Sequence, residues 1–306
     1  MPTADAVRSV RVRVPAKINL YLGVGGVRAD GFHELVTVFH AVDLHDEIRA
    51  TTAPDLEIRI TGEGAADLPT GPGNLAWRAA SLLAERHQVP PHVLIELTKA
   101  IPVGGGLAGG SADAAATLVA CSALWQTGSS RRDLIELGGE LGSDVPFTLT
   151  GGTALGTGRG ELLTPALTTG AFHWVLAIAA FGISTAEAYR AFDRQHDSSP
   201  VRQAPEVPDG MFDALRAGDP HLLGATLGND LQSAALTIAP LLRRTLAAGR
   251  DLGAIAGIVS GSGPTCAFLC TDAQAATRLA AALPAEGVCR TTRVVTGPVA
   301  GARAVS

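Results

Sequence analysis

Aromatic residues are scarce, at 4% of 306 residues. That excludes an interior filled by rings, so the core has to be built from Ala, Val, Leu and Ile. An excess of basic charge is missing too. Lys and Arg number 24 against 29 Asp and Glu, a formal net charge of −5. No basic stripe stands out, which argues against a nucleic-acid partner, although a local positive pocket is compatible with this total. Cysteine is limited to Cys121, Cys266, Cys270 and Cys289, and no pair has the two-residue spacing of a zinc knuckle. They read as small apolar residues of a reducing compartment. Long apolar runs are absent: the longest, around Trp174 to Phe181, is far below the roughly 20 residues of a membrane span. The first residues show no apolar run with a basic flank, so no signal peptide is read and a cytoplasmic location is expected. What is present is 46% hydrophobic and 17% charged residues, enough for a sizeable core without disulfides and for about two domains.

Alternation in Arg8 to Val14 predicts a half-buried strand with a basic wet face, followed by a second strand over 18–24. Further strands are expected at Val36 to Asp43, twice within Asp46 to Ile60, at 92–98, and at Phe147 to Thr150. A hairpin follows through Gly160, then a buried strand over 173–180, a hairpin over 254–270, and a last strand near 289–295. Helical patterns cover 75–87, 111–124, 131–141, 184–192, 211–217, 220–234, 239–249 and 272–283, with loops at 62–73 and 196–210. Strands and helices mix without regular alternation, which points to α+β rather than a doubly wound sheet. No internal repeat is found.

The densest motif is Pro102-Val103-Gly104-Gly105-Gly106-Leu107-Ala108-Gly109-Gly110-Ser111, which runs into an alanine-rich helix. Glycine lets backbone N–H groups approach an anion and adopt positive φ. The helix start behind them leaves further N–H groups unpaired at a positive dipole end. Together they form a phosphate cradle. Gly104-x-Gly106-x-x-Gly109 fits the dinucleotide fingerprint only as a bare pattern, because the helix after it leads to another helix and not to a strand. Gly110-Ser111 lacks the lysine of a Walker A loop. Tight strand–helix packing without a ligand is the plainer reading, and four glycines within 104–109 weigh against it. Ser111 is either an N-cap or a hydroxyl aimed at phosphate or magnesium. Asp113 either favours the helix dipole or helps to hold Mg²⁺ through water.

Pro15-Ala16-Lys17-Ile18-Asn19-Leu20, Asp30-Gly31-Phe32-His33, the glycine loop and Ser260-Gly261-Ser262-Gly263-Pro264 follow one another in that order. In this the chain closely resembles the GHMP kinase superfamily. The first two motifs, with Leu141-Gly142-Ser143-Asp144-Val145-Pro146, narrow the resemblance to members whose acceptor alcohol carries a cytidine diphosphate. The resemblance implies a two-domain α+β fold. Residues 1–168 would be like the second domain of ribosomal protein S5 and residues 169–306 ferredoxin-like, with ATP and the small-molecule substrate meeting in the cleft between them. It implies γ-phosphoryl transfer from ATP, with Mg²⁺ expected.

Residue by residue, the resemblance makes Asp144 the acceptor of the alcohol's proton, where the plainer reading is a turn aspartate. Lys17 would lie beside it and stabilise charge on the transferring phosphoryl. Pro102 to Ser111 would hold the ATP phosphates, with Asn74 and Leu75 at the adenine end and Lys99 approaching the nucleotide from the rim. Asn19 would contact the acceptor alcohol's end and His33 the cytosine edge, unless His33 is a core histidine. Phe32 stands where the family commonly has Tyr, so it keeps a stacking face and lacks the phenol. Tyr189, on the helix after Ser184-Thr185, would stack on the other face of the base, or else simply pack on the sheet. Thr185, Gly261, Ser262 and Gly263 would lie near the substrate, the three hairpin residues being equally readable as a tight turn. Ala112 replaces a second Ser found in many relatives. Homoserine- or mevalonate-type members of the superfamily, a non-catalytic nucleotide-binding regulator and, more remotely, a nicotinamide-dependent oxidoreductase are the alternatives. Metal ligands and oligomeric state stay open.

Overall fold

The structure is a computed structural model that describes residues 8–196 and 205–305. In chain order the first half holds β1 (Ser9–Val27), β2 (His33–Thr51), β3 (Glu57–Gly62), α1 (Leu75–His87), β4 (Leu94–Lys99), α2 (Gly109–Trp125), α3 (Arg131–Leu141), α4 (Val145–Thr150), β5 (Thr153–Thr157) and β6 (Leu162–Pro165). The second half holds β7 (Phe172–Ile178), α5 (Thr185–His196), α6 (Met211–Ala217), α7 (Pro220–Thr226), β8 (Gly228–Asn229), α8 (Gln232–Ile238), α9 (Leu241–Asp251), β9 (Ala256–Val259), β10 (Cys266–Cys270), α10 (Ala273–Ala282), β11 (Thr291–Gly297) and β12 (Arg303–Val305). The class is α+β, as expected.

Two sheets organise these elements. The larger runs β12-β1-β2-β4-β3, with β5 paired to β2, β6 to β5 and β8 to β1; the smaller runs β11-β7-β10-β9. The chain's last strand therefore returns to the first sheet, where Arg11 pairs with Val305 and Arg13 with Arg303. Helix α2 is sheathed on nearly every side: Ala112, Ala114 to Ala116, Leu118, Ala120 and Cys121 are all fully buried. A helix apolar all round belongs in an interior, and its alanines let sheet and neighbouring helices approach closely. The first hydrophobic core joins β1, β2, β4 and α2 to Phe172, Trp174 and Leu176 of β7, so the two sheets share it. A second core lies between the smaller sheet and α9 and α10.

Several elements depart from the sequence reading. The two strands expected over 8–14 and 18–24 are one, Ser9–Val27, whose register slips between Pro15 and Ala16. A proline lacks the ladder donor, so an irregularity there is where the sheet tolerates it. The expected strand at Phe147 to Thr150 is helix α4. Pro146 sits in its first turn, where a missing N–H costs nothing, and Val145, Phe147 and Leu149 are buried. The expected helix over 220–234 is broken by Gly228 and Asn229, which pair with Tyr21 and Leu22. Asn229 Nδ2 also donates to the carbonyls of Val259 and Gly261, at 2.7 Å each. The short β12 carried no readable pattern. Of the loop read at 196–210, residues 197–204 lie outside the described residues.

Candidate active site

The first sheet, the glycine loop, α5 and the β9–β10 hairpin surround a cavity of about 860 Å³, within the range of small-molecule sites. Strand β2 presents His33, Leu35, Thr37 and Phe39 to it, the alternate residues of one strand face. Strand β1 presents Lys17 and Asn19 and then Leu22, so the parity changes. The cause is a bulge: Asn19 pairs with Phe39 but Tyr21 pairs with Val38, leaving Leu20 as the extra residue. Bulges re-aim side chains beside functional sites.

Lys17 is buried, with its Nζ donating to Asn19 Oδ1 at 2.8 Å. It lies 3.5 Å from Asp144 Oδ2 and 5.4 Å from the centre of the Phe39 ring. Asp144 precedes α4, and its side chain is a third exposed. Behind this pair, Asn19 Nδ2 donates to the Thr37 hydroxyl at 2.8 Å.

The glycine loop faces the same cavity through Gly104, Gly106, Ala108, Gly109, Gly110 and Ser111. Positive φ recurs at Gly104 (64°), Gly106 (77°) and Ala108 (59°). Such alternation turns successive N–H groups inward to make an anion nest. Ala108 is the N-cap of α2 and supplies no side-chain cap, so the first N–H groups of the helix are left for a ligand. Gly106 has no freedom to vary, since a Cβ there would lie 2.2 Å from the Ser260 carbonyl oxygen. Ser260 Oγ also donates to the Gly106 carbonyl at 3.1 Å, so the C-terminal hairpin is locked to the loop.

Some residues expected to contact ligand lie elsewhere. Ser111 is not the helix cap, because α2 begins two residues earlier. Lys99 does not approach from the rim. It is buried, bonded to Asp46 and to Asp113 (2.6 Å), with the Gly109 carbonyl at 3.4 Å. Asp113 Oδ2 is thereby committed to Lys99, while its Oδ1 is buried without a hydrogen-bond partner. Burial opposes the charge on Lys99, but Asp113 and Asp46 outweigh it and raise its pKa. Burial pushes the Asp113 carboxyl up, and the neighbouring Lys99 ammonium pulls it back down. Asp46 Oδ1 in turn accepts from the N–H groups of Ala100 (2.6 Å) and Ile101 (2.9 Å). This cluster ties both ends of the glycine loop from behind. Asn74 caps α1, accepting from Ala76 N at 2.8 Å, while Leu75 reaches the cavity. Leu107 is fully buried, and its carbonyl accepts from Lys17 N at 3.3 Å. Pro102, Val103 and Gly105 line a second, smaller cavity of about 230 Å³. Gly263 closes the hairpin with its N–H on the Ser260 carbonyl at 2.8 Å.

At the other end Phe32, His33, Thr185 and Tyr189 all line the main cavity, with Gly261 and Ser262. The His33 and Tyr189 rings are 5.1 Å apart, and His33 Nε2 is 2.8 Å from Asp193 Oδ1. Thr185 Oγ1 and Ser262 Oγ share a hydrogen bond of 3.0 Å. Burial, then Asp144 and Asp193, raise the pKa of the Tyr189 phenol, which stays neutral. Phe32 is 53% exposed and carries the Arg159 guanidinium over its ring at 5.1 Å. Thr37, Phe39, Arg159 and Asp193 also line the cavity, beyond the residues expected from the sequence. Asp193 was within reach, as Thr185, Tyr189 and Asp193 recur at helical spacing on α5; Arg159 had no local signal.

Residues 74–152 match the family model of the GHMP kinases N terminal domain and residues 211–289 that of the GHMP kinases C terminal. The chain belongs to the GHMP kinases. It is 58% identical over 299 residues to the 4-diphosphocytidyl-2-C-methyl-D-erythritol kinase of Mycolicibacterium gilvum, covering 97% of this chain and 93% of that one. Among solved structures, a 4-(cytidine 5'-diphospho)-2C-methyl-D-erythritol kinase superposes with a TM-score of 0.75 at 33% identity, covering 93% of this chain and 98% of the other. A homoserine kinase from Cytophaga hutchinsonii gives 0.74 at 19% identity, with both chains fully covered. That second likeness is one of fold alone. Among the described residues no helix is long and apolar enough to cross a membrane.

Proposed function

We propose that this chain transfers the γ-phosphoryl group of ATP to the 2-hydroxyl of 4-diphosphocytidyl-2-C-methyl-D-erythritol. The observation that carries the mechanism is Lys17 Nζ at 3.5 Å from Asp144 Oδ2, on the same cavity as the loop from Gly104 to Ser111. The alcohol's proton passes to Asp144 as its oxygen bonds to the γ-phosphorus. The bond from that phosphorus to the bridging oxygen breaks, and ADP leaves with the electron pair. Such transfers depend on alignment and charge stabilisation. The loop N–H groups align the phosphates, and the Lys17 ammonium stabilises the charge on the transferring group. The cytosine is assigned to the end lined by Phe32, His33 and Tyr189, where aromatic faces suit a base.

ATP-dependent transfer brings Mg²⁺ with it in this reading. Among the described residues no three His, Cys, Asp or Glu side chains gather to hold a metal ion, so the nucleotide's own phosphates would supply most of its ligands, with the Ser111 hydroxyl facing the same cavity. The roles of Lys17 and Asp144 do not depend on it. We place the nucleotide half at 1–168 and the second half at 169–306, with β8 and β12 of the second half reaching back to pair with β1. The setting is cytoplasmic, which suits the free cysteines Cys121, Cys266, Cys270 and Cys289.

A coupled ADP-release assay tests the reading with the cytidyl alcohol, homoserine and mevalonate offered separately. Release with the cytidyl alcohol alone is expected. Release only with homoserine or mevalonate overturns the substrate. Release with none favours a non-catalytic nucleotide binder.

A further inference from the structure

We infer that Thr37, a residue outside the Lys17–Asp144 pair, is a positioning residue that sets the direction of the Asn19 amide and so holds the Lys17 ammonium beside Asp144; this rests on the kinase reading above. Thr37 is fully buried in the wall of the cavity. Its hydroxyl donates to the Tyr21 carbonyl at 2.7 Å. With its one proton spent there, the oxygen is left only as an acceptor. It accepts from Asn19 Nδ2 at 2.8 Å. The amide's other end, Oδ1, must then face away from Thr37, and it accepts from Lys17 Nζ at 2.8 Å. The polarity of the chain Tyr21, Thr37, Asn19, Lys17 is therefore decided by a main-chain carbonyl, a group that can only accept.

The bulge at Leu20 carries the β1 backbone past this point, so that Tyr21 and Thr37 meet across the strands although they are not register partners. Reversing the Asn19 amide would set its NH₂ group against the ammonium, two donors facing each other. The four groups lie within one buried wall, with Lys17 4% and Asn19 2% exposed, where water cannot readily replace a lost partner.

The test is a double-mutant cycle on the full chain with ATP and the alcohol that the wild type phosphorylates. Thr37→Val keeps the shape and removes the hydroxyl. It is expected to lower kcat about ten-fold, the worth of a hydrogen bond and its unpaired partner, with the KM for ATP unchanged. Thr37→Ser should recover most of that loss. In an Asn19→Ala background the same Thr37→Val change should cost less than about two-fold, because residues acting through one another are not additive. Equal losses in both backgrounds, or wild-type kcat in Thr37→Val, overturn the inference. Should Thr37→Val fail to fold, Thr37→Ala is read in the same cycle with the same two outcomes. The two readings fail separately. A wild type that ignores the cytidyl alcohol sinks the substrate reading, while the cycle still measures coupling on the accepted alcohol.

Discussion

Gly106 shows at the scale of one residue how little choice the glycine loop has. Its φ is 77°, and a Cβ would strike the Ser260 carbonyl oxygen at 2.2 Å. Gly106→Ala is therefore expected to destabilise the fold by about 2 kcal/mol or more and to raise the KM for ATP, as read by thermal melting and initial-rate kinetics. Lys99 is the opposite kind of residue. Next to a glycine loop, a lysine reads as a phosphate contact, but here it neutralises Asp46 and Asp113 behind the loop. Nothing local reveals this, because Asp46 lies 53 residues away in the chain. Lys99→Met would strand two buried carboxylates. It is expected to cost about 3–5 kcal/mol, measurable by denaturant titration, whereas a true rim lysine would cost almost nothing. A melt equal to the wild type would return Lys99 to the rim.

At the scale of elements, the legible parts were those whose signal is local. The alternation of β1, the Asn74 cap of α1 and the glycine run before α2 each follow from neighbouring residues. The bulge at Leu20 and helix α4 were not legible, since both are decided by what packs against them. Helix α4 matters because Asp144 is its N-cap. The returning tail fastens this short helix. Ala302 N donates to the Thr148 carbonyl at 2.9 Å, and Arg131 reaches the carbonyls of both Ala302 and Leu149. A Cβ on Gly301 would lie 1.9 Å from the Leu149 carbonyl oxygen. Gly301→Ala is expected to cost about 2–3 kcal/mol and to lower kcat through a displaced α4, while leaving the KM for ATP within about two-fold of the wild type. An unchanged kcat would separate the tail from the site.

For the whole molecule, the joint between the sheets carries a pH dependence. His40 is fully buried beneath Phe172 and Trp174, and burial lowers its pKa from 6.5 to about 4. Between these values the unfolded chain binds the proton that the folded chain refuses. Its contribution to stability is thus complete above pH 6.5 and is lost as pH falls towards 4, on the order of 3 kcal/mol in all. Denaturant titrations at pH 7.5 and 4.5, with His40→Gln as the reference, should show the wild type losing more. Equal losses would mean that His40 is not held neutral by burial.

The proposed phosphoryl transfer turns on Lys17 and Asp144 acting on an alcohol opposite the glycine loop. Single-turnover kinetics of Lys17→Met and Asp144→Asn, with ATP binding followed in parallel, test it most directly. Each variant should fold, bind ATP as the wild type does, and transfer the phosphoryl group about 10³-fold more slowly. Transfer within about ten-fold of the wild-type rate in either variant would remove that residue from the chemistry and contradict the account.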